Sequence, residues 1–243
     1  MEKKGAEPWI DYRGLKCVVL CAGEGRRIRP ESSEKPKVII GLRNKPLLGY
    51  VVDYWRRYTQ DFIFVVGYEK EQVIEFASQL PINSQFVEQK ELKGIAQAVM
   101  CVRELVSERF IVVLGDCLCH GSFDFTPNME QGIGVWQTDD IEAIKHSYSL
   151  DIKDDFVRHV KEKPEQVSNN LCGMGFYFFH KRLFDYIKLT KPSPLRGEVE
   201  ITDTIQNMID GGEKITPVFF RGNYLNVTYP EDVVKAEKLL ESA

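Results

Sequence analysis

Two glycines and a run of cations share one short stretch of this chain. It reads Leu20-Cys21-Ala22-Gly23-Glu24-Gly25-Arg26-Arg27-Ile28-Arg29-Pro30 and closes on Lys35-Pro36-Lys37. Gly23 and Gly25 lack a Cβ, so backbone N–H groups there can approach an anion closely. Arg27, Arg29, Lys35 and Lys37 put four cations within eleven residues. Such a concentration suits a triphosphate, whose charge spreads over the transition state as pyrophosphate leaves. The spacing is neither GxxxxGK[ST] nor GxGxxG, so P-loop and dinucleotide readings fit poorly. Taken alone, the segment could equally be a solvated basic loop.

Other segments add chemistry of the same kind. Phe110-Ile111-Val112-Val113-Leu114-Gly115-Asp116 is an apolar run ending in a carboxylate. At the end of a buried parallel strand, Asp116 offers Mg2+ a hard oxygen and leaves the other positions to phosphate and water. Glu88-Gln89 and Gly94-Ile95-Ala96-Gln97-Ala98 pair a side-chain amide with a glycine that opens a helix. Glu162-Lys163-Pro164 and Arg196-Gly197-Glu198-Val199-Glu200-Ile201-Thr202-Asp203 supply charge and hydroxyl groups in the second half, where Thr202 could also cap a helix. Tyr224-Leu225-Asn226-Val227-Thr228 carries a side-chain amide shortly before the last helical segment.

Taken together, these segments resemble the sugar-1-phosphate nucleotidyltransferases, also called sugar-nucleotide pyrophosphorylases, over residues 16 to 241. The resemblance is nearest to short-form glucose-1-phosphate thymidylyltransferases, because the chain stops where longer forms continue into extra C-terminal helices. It implies that Arg27 and Lys37 grip the triphosphate and assist departure of pyrophosphate. It gives nucleotide binding to Ala22, Gly23, Gly25, Gln89 and Gly94, with Gln89 on the pyrimidine edge. Mg2+ falls to Asp116 and Asn226, and the acceptor to Glu162, Lys163, Gly173 and Glu198. Three positions depart from the family pattern. Arg26 stands where a small or hydroxyl residue is usual. Asn226 replaces an aspartate, as in uridylyltransferases acting on N-acetylglucosamine 1-phosphate. Ser147 falls near the usual sugar-contacting glycine, so the acceptor need not be glucose 1-phosphate.

The elements that must position these groups follow from hydrophobic periodicity. Buried strands are expected at Cys17–Cys21, Phe62–Gly67, Gln85–Val87 and Phe110–Asp116, with helices at Pro46–Tyr58, Lys70–Leu80 and Ile95–Leu105. This alternation implies an α/β domain, a mixed and mostly parallel sheet with helices on both faces, whose ligands bind at the carboxyl ends of the strands. The resemblance makes it a Rossmann-like fold of nucleotide-diphospho-sugar transferase type. Strands at Gly132–Gln137, Phe156–Lys161, Met174–Phe179 and Ile215–Phe220 follow, with helices at Lys181–Leu189, Thr202–Asp210 and Pro230–Leu240. The expected organisation is an extension over 1–15 and one domain over 16–243, with a nucleotide half (16–120) and an acceptor half (121–243).

Composition sets the outer limits. The chain has 243 residues and a net charge of −4, so no global basic field attracts nucleic acid. No apolar run approaches the ~18 residues of a membrane span, and the N-terminus has no signal-peptide core. Six cysteines without a second CxxC-type pair read as buried thiols rather than zinc ligands or disulfides. A cytoplasmic enzyme is the expectation, its partners a nucleoside triphosphate and a sugar or polyol 1-phosphate; a homo-oligomer is compatible with the sequence. UTP or dTTP is favoured. The alternatives are a CTP-dependent enzyme acting on a polyol phosphate such as inositol 1-phosphate or on phosphocholine, and a non-catalytic sensor of nucleotide sugars. Retention of Arg27, Lys37 and Asp116 together argues against the sensor, since a pure binder needs no leaving-group machinery.

Overall fold

Three apolar runs, KCVVLC, DFIFVV and RFIVVL, become the adjacent strands β1 (Lys16–Cys21), β4 (Asp61–Val66) and β6 (Arg109–Leu114). They are near-continuously apolar because a parallel sheet covered on both faces buries both sides of every strand. The structure, a computed structural model, describes residues 14–28, 35–126, 129–194 and 197–241. Most of the expected N-terminal extension, Arg29 and Arg196 lie outside the described residues.

The main sheet runs β5 (Asn83–Glu88), β4, β1, β6, β11 (Leu171–His180), β8 (Gly132–Gln137), β12 (Thr216–Asn226) and β7 (Cys117–Asp124). Four of the seven neighbour pairs on this path are parallel: β5–β4, β4–β1, β1–β6 and β8–β12. The pairs β6–β11, β11–β8 and β12–β7 are antiparallel. β9 (Tyr148–Lys153) and β10 (Phe156–Glu162) form an antiparallel extension held on β11 by β9. A short pair, β2 (Gly41–Leu42) and β3 (Lys45–Pro46), stands apart.

Side chains alternate across a strand, and the alternation divides the core. Cys17, Val19 and Cys21 join α1 (Leu47–Trp55) and α2 (Lys70–Ser78) on one face. Val18, Ile63 and Val65 join α3 (Ile95–Met100), α5 (Leu183–Leu189) and α6 (Ile201–Asp210) on the other. A smaller cluster includes Ile28 of the basic loop, Leu118, Val227 and Ala236 of α7 (Pro230–Glu241), which fastens that loop to the end of the chain.

Several expected elements differ in extent. The helix expected over Ile95–Leu105 ends at Met100. Beyond it the N–H groups of Val102, Arg103 and Leu105 bond three residues back, so the chain continues as tight turns. Thr202 does not cap α6, since the helix starts at Ile201 with Glu200 at the cap. The strand expected at Ile215–Phe220 starts at Thr216 and continues to Asn226, paired with β7 from Phe219 onward. β7, β9 and α4 (Ile141–His146) have no counterpart in the expected elements. The edge strand β7, with sequence CLCHGSFD, mixes polar and apolar residues and gives no clean run.

Candidate active site

Sheet register brings the loops to one edge. Cys21 pairs with Val66, Leu20 with Leu114, and Val66 with Glu88. The segments after Cys21, Val66, Glu88 and Leu114 therefore leave the parallel strands side by side, where open α/β sheets bind ligands. They leave tightly. Gly115 N–H donates to Leu20 O at 3.0 Å and Tyr68 N–H to Ala22 O at 3.2 Å. A Cβ on Gly67 would lie 2.8 Å from Ala22 O, and one on Gly115 2.9 Å from Leu20 O.

The first cluster of expected site residues forms at this edge. Gly25 adopts φ +63°, and a Cβ there would lie 2.5 Å from Lys37 Cβ, so the basic loop lies directly against Lys37. Gly23 faces open space. Lys37 opens a 3-10 turn over Lys37–Ile39, and its ammonium pairs with Asp116 Oδ2. The pair is largely buried, with side-chain exposures of 15% and 17%. Asp116 occupies the turn between β6 and β7. Asn226 lies opposite Cys117 in the β7–β12 ladder, and Val227 N–H donates to Asp116 O at 2.9 Å. The two expected metal ligands thus come close: Asp116 in the turn just before β7, and Asn226 at the end of β12. Asn226 Oδ1 accepts from Thr228 Oγ1 at 3.1 Å.

The donor chemistry suits Mg2+ but no protein-only cage. Among the described residues no group of three or more His, Cys, Asp or Glu could hold a metal ion. One carboxylate and one amide oxygen fit a cation that takes most of its shell from substrate phosphates and water.

Arg27 turns to the chain's far end. Its guanidinium lies 5.5 Å from the centre of the Tyr229 ring, with Nη1 3.5 Å from the Tyr229 hydroxyl. The His146 ring lies 5.8 Å from the same ring, centre to centre. Asp232 Oδ2 accepts the N–H groups of Thr228 and Tyr229 at 3.0 and 2.8 Å, fixing the backbone between Asn226 and α7. Arg26, by contrast, pairs with Glu24 in the loop itself.

A second cluster surrounds the expected base reader. Gln89 is buried at 6% exposure, its N–H donating to Val66 O at 2.8 Å and its Nε2 reaching Gly94 O at a long 3.4 Å. Gly94 needs to be glycine: φ is +97°, and a Cβ would lie 2.7 Å from Val199 O and 3.1 Å from Glu198 Cβ. Val199 N–H donates to Lys93 O, and Ala96 N–H to Val199 O. The segment that carries Glu198 is therefore knitted to the chain on both sides of Gly94.

The third cluster belongs to the second half. Thr202, rather than capping its helix, donates its hydroxyl to Glu162 Oε2 at 3.2 Å. Lys163 adopts φ +42°, and its N–H donates to Ser147 O at 2.8 Å. Ser147 Oγ donates to Gly173 O at 2.6 Å. A Cβ on Gly173 would lie 1.9 Å from the Tyr148 ring, so that ring covers the glycine. Burial first, and Glu162 second, push the Tyr177 hydroxyl well above its ordinary value, leaving a neutral phenol beneath the carboxylates. Tyr148, His146 and Tyr229 were not singled out from the sequence. Their only signal was adjacency to Ser147 and Asn226.

The fold is that of an α/β protein whose parallel half opens its strand ends onto a part-buried cation–carboxylate pair and is joined to a mixed half that carries hydroxyl and carboxylate groups. The chain belongs to the nucleotidyl transferase family, whose model matches residues 16–243. The UTP–glucose-1-phosphate uridylyltransferase AglF of Haloferax volcanii is 32% identical over 240 residues, covering 93% of this chain and 97% of its own. The bifunctional protein GlmU of Methanocaldococcus jannaschii is 30% identical over 230 residues, 93% of this chain but 54% of its own, so the chain spans about half of that relative. A putative glucose-1-phosphate thymidylyltransferase from Bacillus anthracis, solved with sucrose, has the same fold with a TM-score of 0.81 at 23% identity, covering 94% of this chain and 96% of its own. The inositol-1-phosphate CTP transferase of T. maritima does so with a TM-score of 0.79 at 18% identity, over 94% and 96%.

Proposed function

We propose that this chain transfers a nucleotidyl group from a pyrimidine nucleoside triphosphate to a sugar 1-phosphate, releasing pyrophosphate, with Mg2+ held at Asp116 and Asn226. The observation that supports this most is the part-buried Lys37–Asp116 pair at the carboxyl edge of the parallel strands, beside Asn226. A pure binding pocket has no need to set a lysine against the carboxylate proposed to hold the metal. UTP is the first choice of triphosphate, because the Haloferax volcanii uridylyltransferase matches over nearly its full length.

In the reaction, an oxygen of the acceptor phosphate attacks the α-phosphorus in line. The bond from that phosphorus to the α–β bridging oxygen breaks, and pyrophosphate leaves with the electron pair. Little covalent work falls to the protein, which positions and neutralises. Lys37 and Arg27 stabilise charge on the triphosphate and leaving group, and the backbone at Ala22, Gly23 and Gly25 lies along the phosphates. Gln89 and Gly94 read the base. Glu162, Lys163, Gly173 and Glu198 hold the acceptor. Mg2+, when bound, adds neutralising charge beside the phosphate oxygens.

The test is a matrix of ATP, GTP, CTP, UTP and dTTP against glucose, N-acetylglucosamine and inositol 1-phosphates, read by pyrophosphate release. Release with UTP or dTTP and a sugar 1-phosphate is expected. Release confined to CTP and inositol 1-phosphate would replace this reading by a polyol cytidylyltransferase. Nucleotide binding without release from any pairing would replace it by a sensor.

A further inference from the structure

Behind the metal edge lies a chain of buried polar atoms that the proposed reaction does not use. It begins with an irregularity in β11. The ladder between β11 and β8 shifts between Gly173 and Tyr177, and the pairing of β11 with β6 begins only at Phe176. The buried N–H of Gly175 therefore falls outside both ladders, and a buried donor needs a partner. It finds the Tyr224 hydroxyl at 2.9 Å. That hydroxyl is 3.0 Å from Cys117 Sγ, and Cys117 Sγ is 3.6 Å from Asp116 Oδ1.

The polarity of the chain follows from what each group can do. The Asp116 carboxylate, with Lys37 on Oδ2, accepts. Cys117 therefore donates to Oδ1, its sulfur accepts from the Tyr224 hydroxyl, and the tyrosine oxygen accepts from Gly175 N–H. Each intermediate group donates once and accepts once. Packing pins the arrangement: a Cβ on Gly175 would lie 2.8 Å from Cys117 Sγ and 2.7 Å from Leu114 Cγ. Local departures from ladder pairing re-aim groups beside active sites, and here the departure frees one N–H to anchor the chain.

We propose that Cys117 and Tyr224 are positioning residues that aim the Asp116 carboxylate at the cation. Lys37 holds one carboxylate oxygen and the relay holds the other, so the carboxylate plane is set before any phosphate arrives. Outer partners of a metal ligand commonly govern affinity by 10- to 100-fold. The inference rests on the proposed function in one respect, that Asp116 is a metal ligand.

The experiment measures Mn2+ binding to the full chain through loss of the free-ion electron paramagnetic resonance signal, for wild type, Asp116→Ala, Tyr224→Phe, Cys117→Ala and Cys117→Ser. Asp116→Ala should abolish binding. Tyr224→Phe and Cys117→Ala should each raise the Mn2+ dissociation constant roughly tenfold, whatever their melting temperatures do. Cys117→Ser, which restores a donor, should recover most of that loss; a purely structural role for the thiol would not give this rescue. Wild-type affinity in folded Tyr224→Phe and Cys117→Ala, with binding lost in Asp116→Ala, would overturn the relay alone. Wild-type affinity in Asp116→Ala would overturn the metal assignment beneath it as well.

Discussion

At the scale of single residues, Lys37 and Gln89 bear the sharpest expectations. Lys37 is part-buried against Asp116, and the proposed function puts the phosphates at this pair. Lys37→Ala should lower kcat by roughly 10²–10³, the scale of losing one charge contact made in the transition state. Turnover near wild type at saturating substrates would remove Lys37 from that role. Gln89 is buried beside Gly94, with a polar tip that a base edge can satisfy. Gln89→Ala should flatten the preference among pyrimidine triphosphates by ~1–3 kcal/mol, the scale of a polar contact to a base edge in nucleic-acid recognition. If KM rises equally for every triphosphate and the preference is unchanged, Gln89 does not read the base. Both residues could be singled out from the sequence. What sequence could not show is that Lys37 and Asp116 touch, because that contact depends on the β1–β6 register and on a loop folding back across it. Nor could it show that the Ser147 hydroxyl is turned to Gly173 O, or that Thr202 serves Glu162 rather than its own helix.

At the scale of elements, glycines fix how the loops meet. Gly25→Ala would force a side chain onto a backbone at φ +63° and into Lys37 Cβ. It should cut kcat severely by displacing Lys37, while melting temperature falls only slightly, since the loop lies at the edge of the core. Unchanged kcat with an unchanged melting temperature would show that the loop and Lys37 move independently. Legibility follows the same physics. The parallel strands were readable because burial on both faces leaves near-continuous apolar runs such as RFIVVL. β7 was not, because an edge strand keeps one polar face, and its pairing with β12 is what sets Asn226 beside Asp116. The end of α3 was overestimated because Val102 and Val106 continue the apolar period while the backbone has already tightened into turns.

At the scale of the whole molecule, the two halves are tied at several places around the site. Val199 pairs with Lys93 and Ala96 on both sides of Gly94, and the Tyr229 ring lies near both Arg27 and His146. Ordering of one substrate subsite should therefore order the other. Gly94→Ala, whose Cβ would meet Val199 O at 2.7 Å, should raise KM for both triphosphate and acceptor. A change confined to the triphosphate would show that the two subsites are uncoupled. The central claim, that this fold transfers a nucleotidyl group around Asp116, is tested most directly by nucleotide-sugar formation and pyrophosphate release at varied Mg2+, for wild type and Asp116→Ala. The expected result is equimolar nucleotide sugar and pyrophosphate from wild type only when Mg2+ is present, and a loss of at least ~10²-fold in Asp116→Ala. Mg2+-dependent release that is the same in both proteins would contradict it.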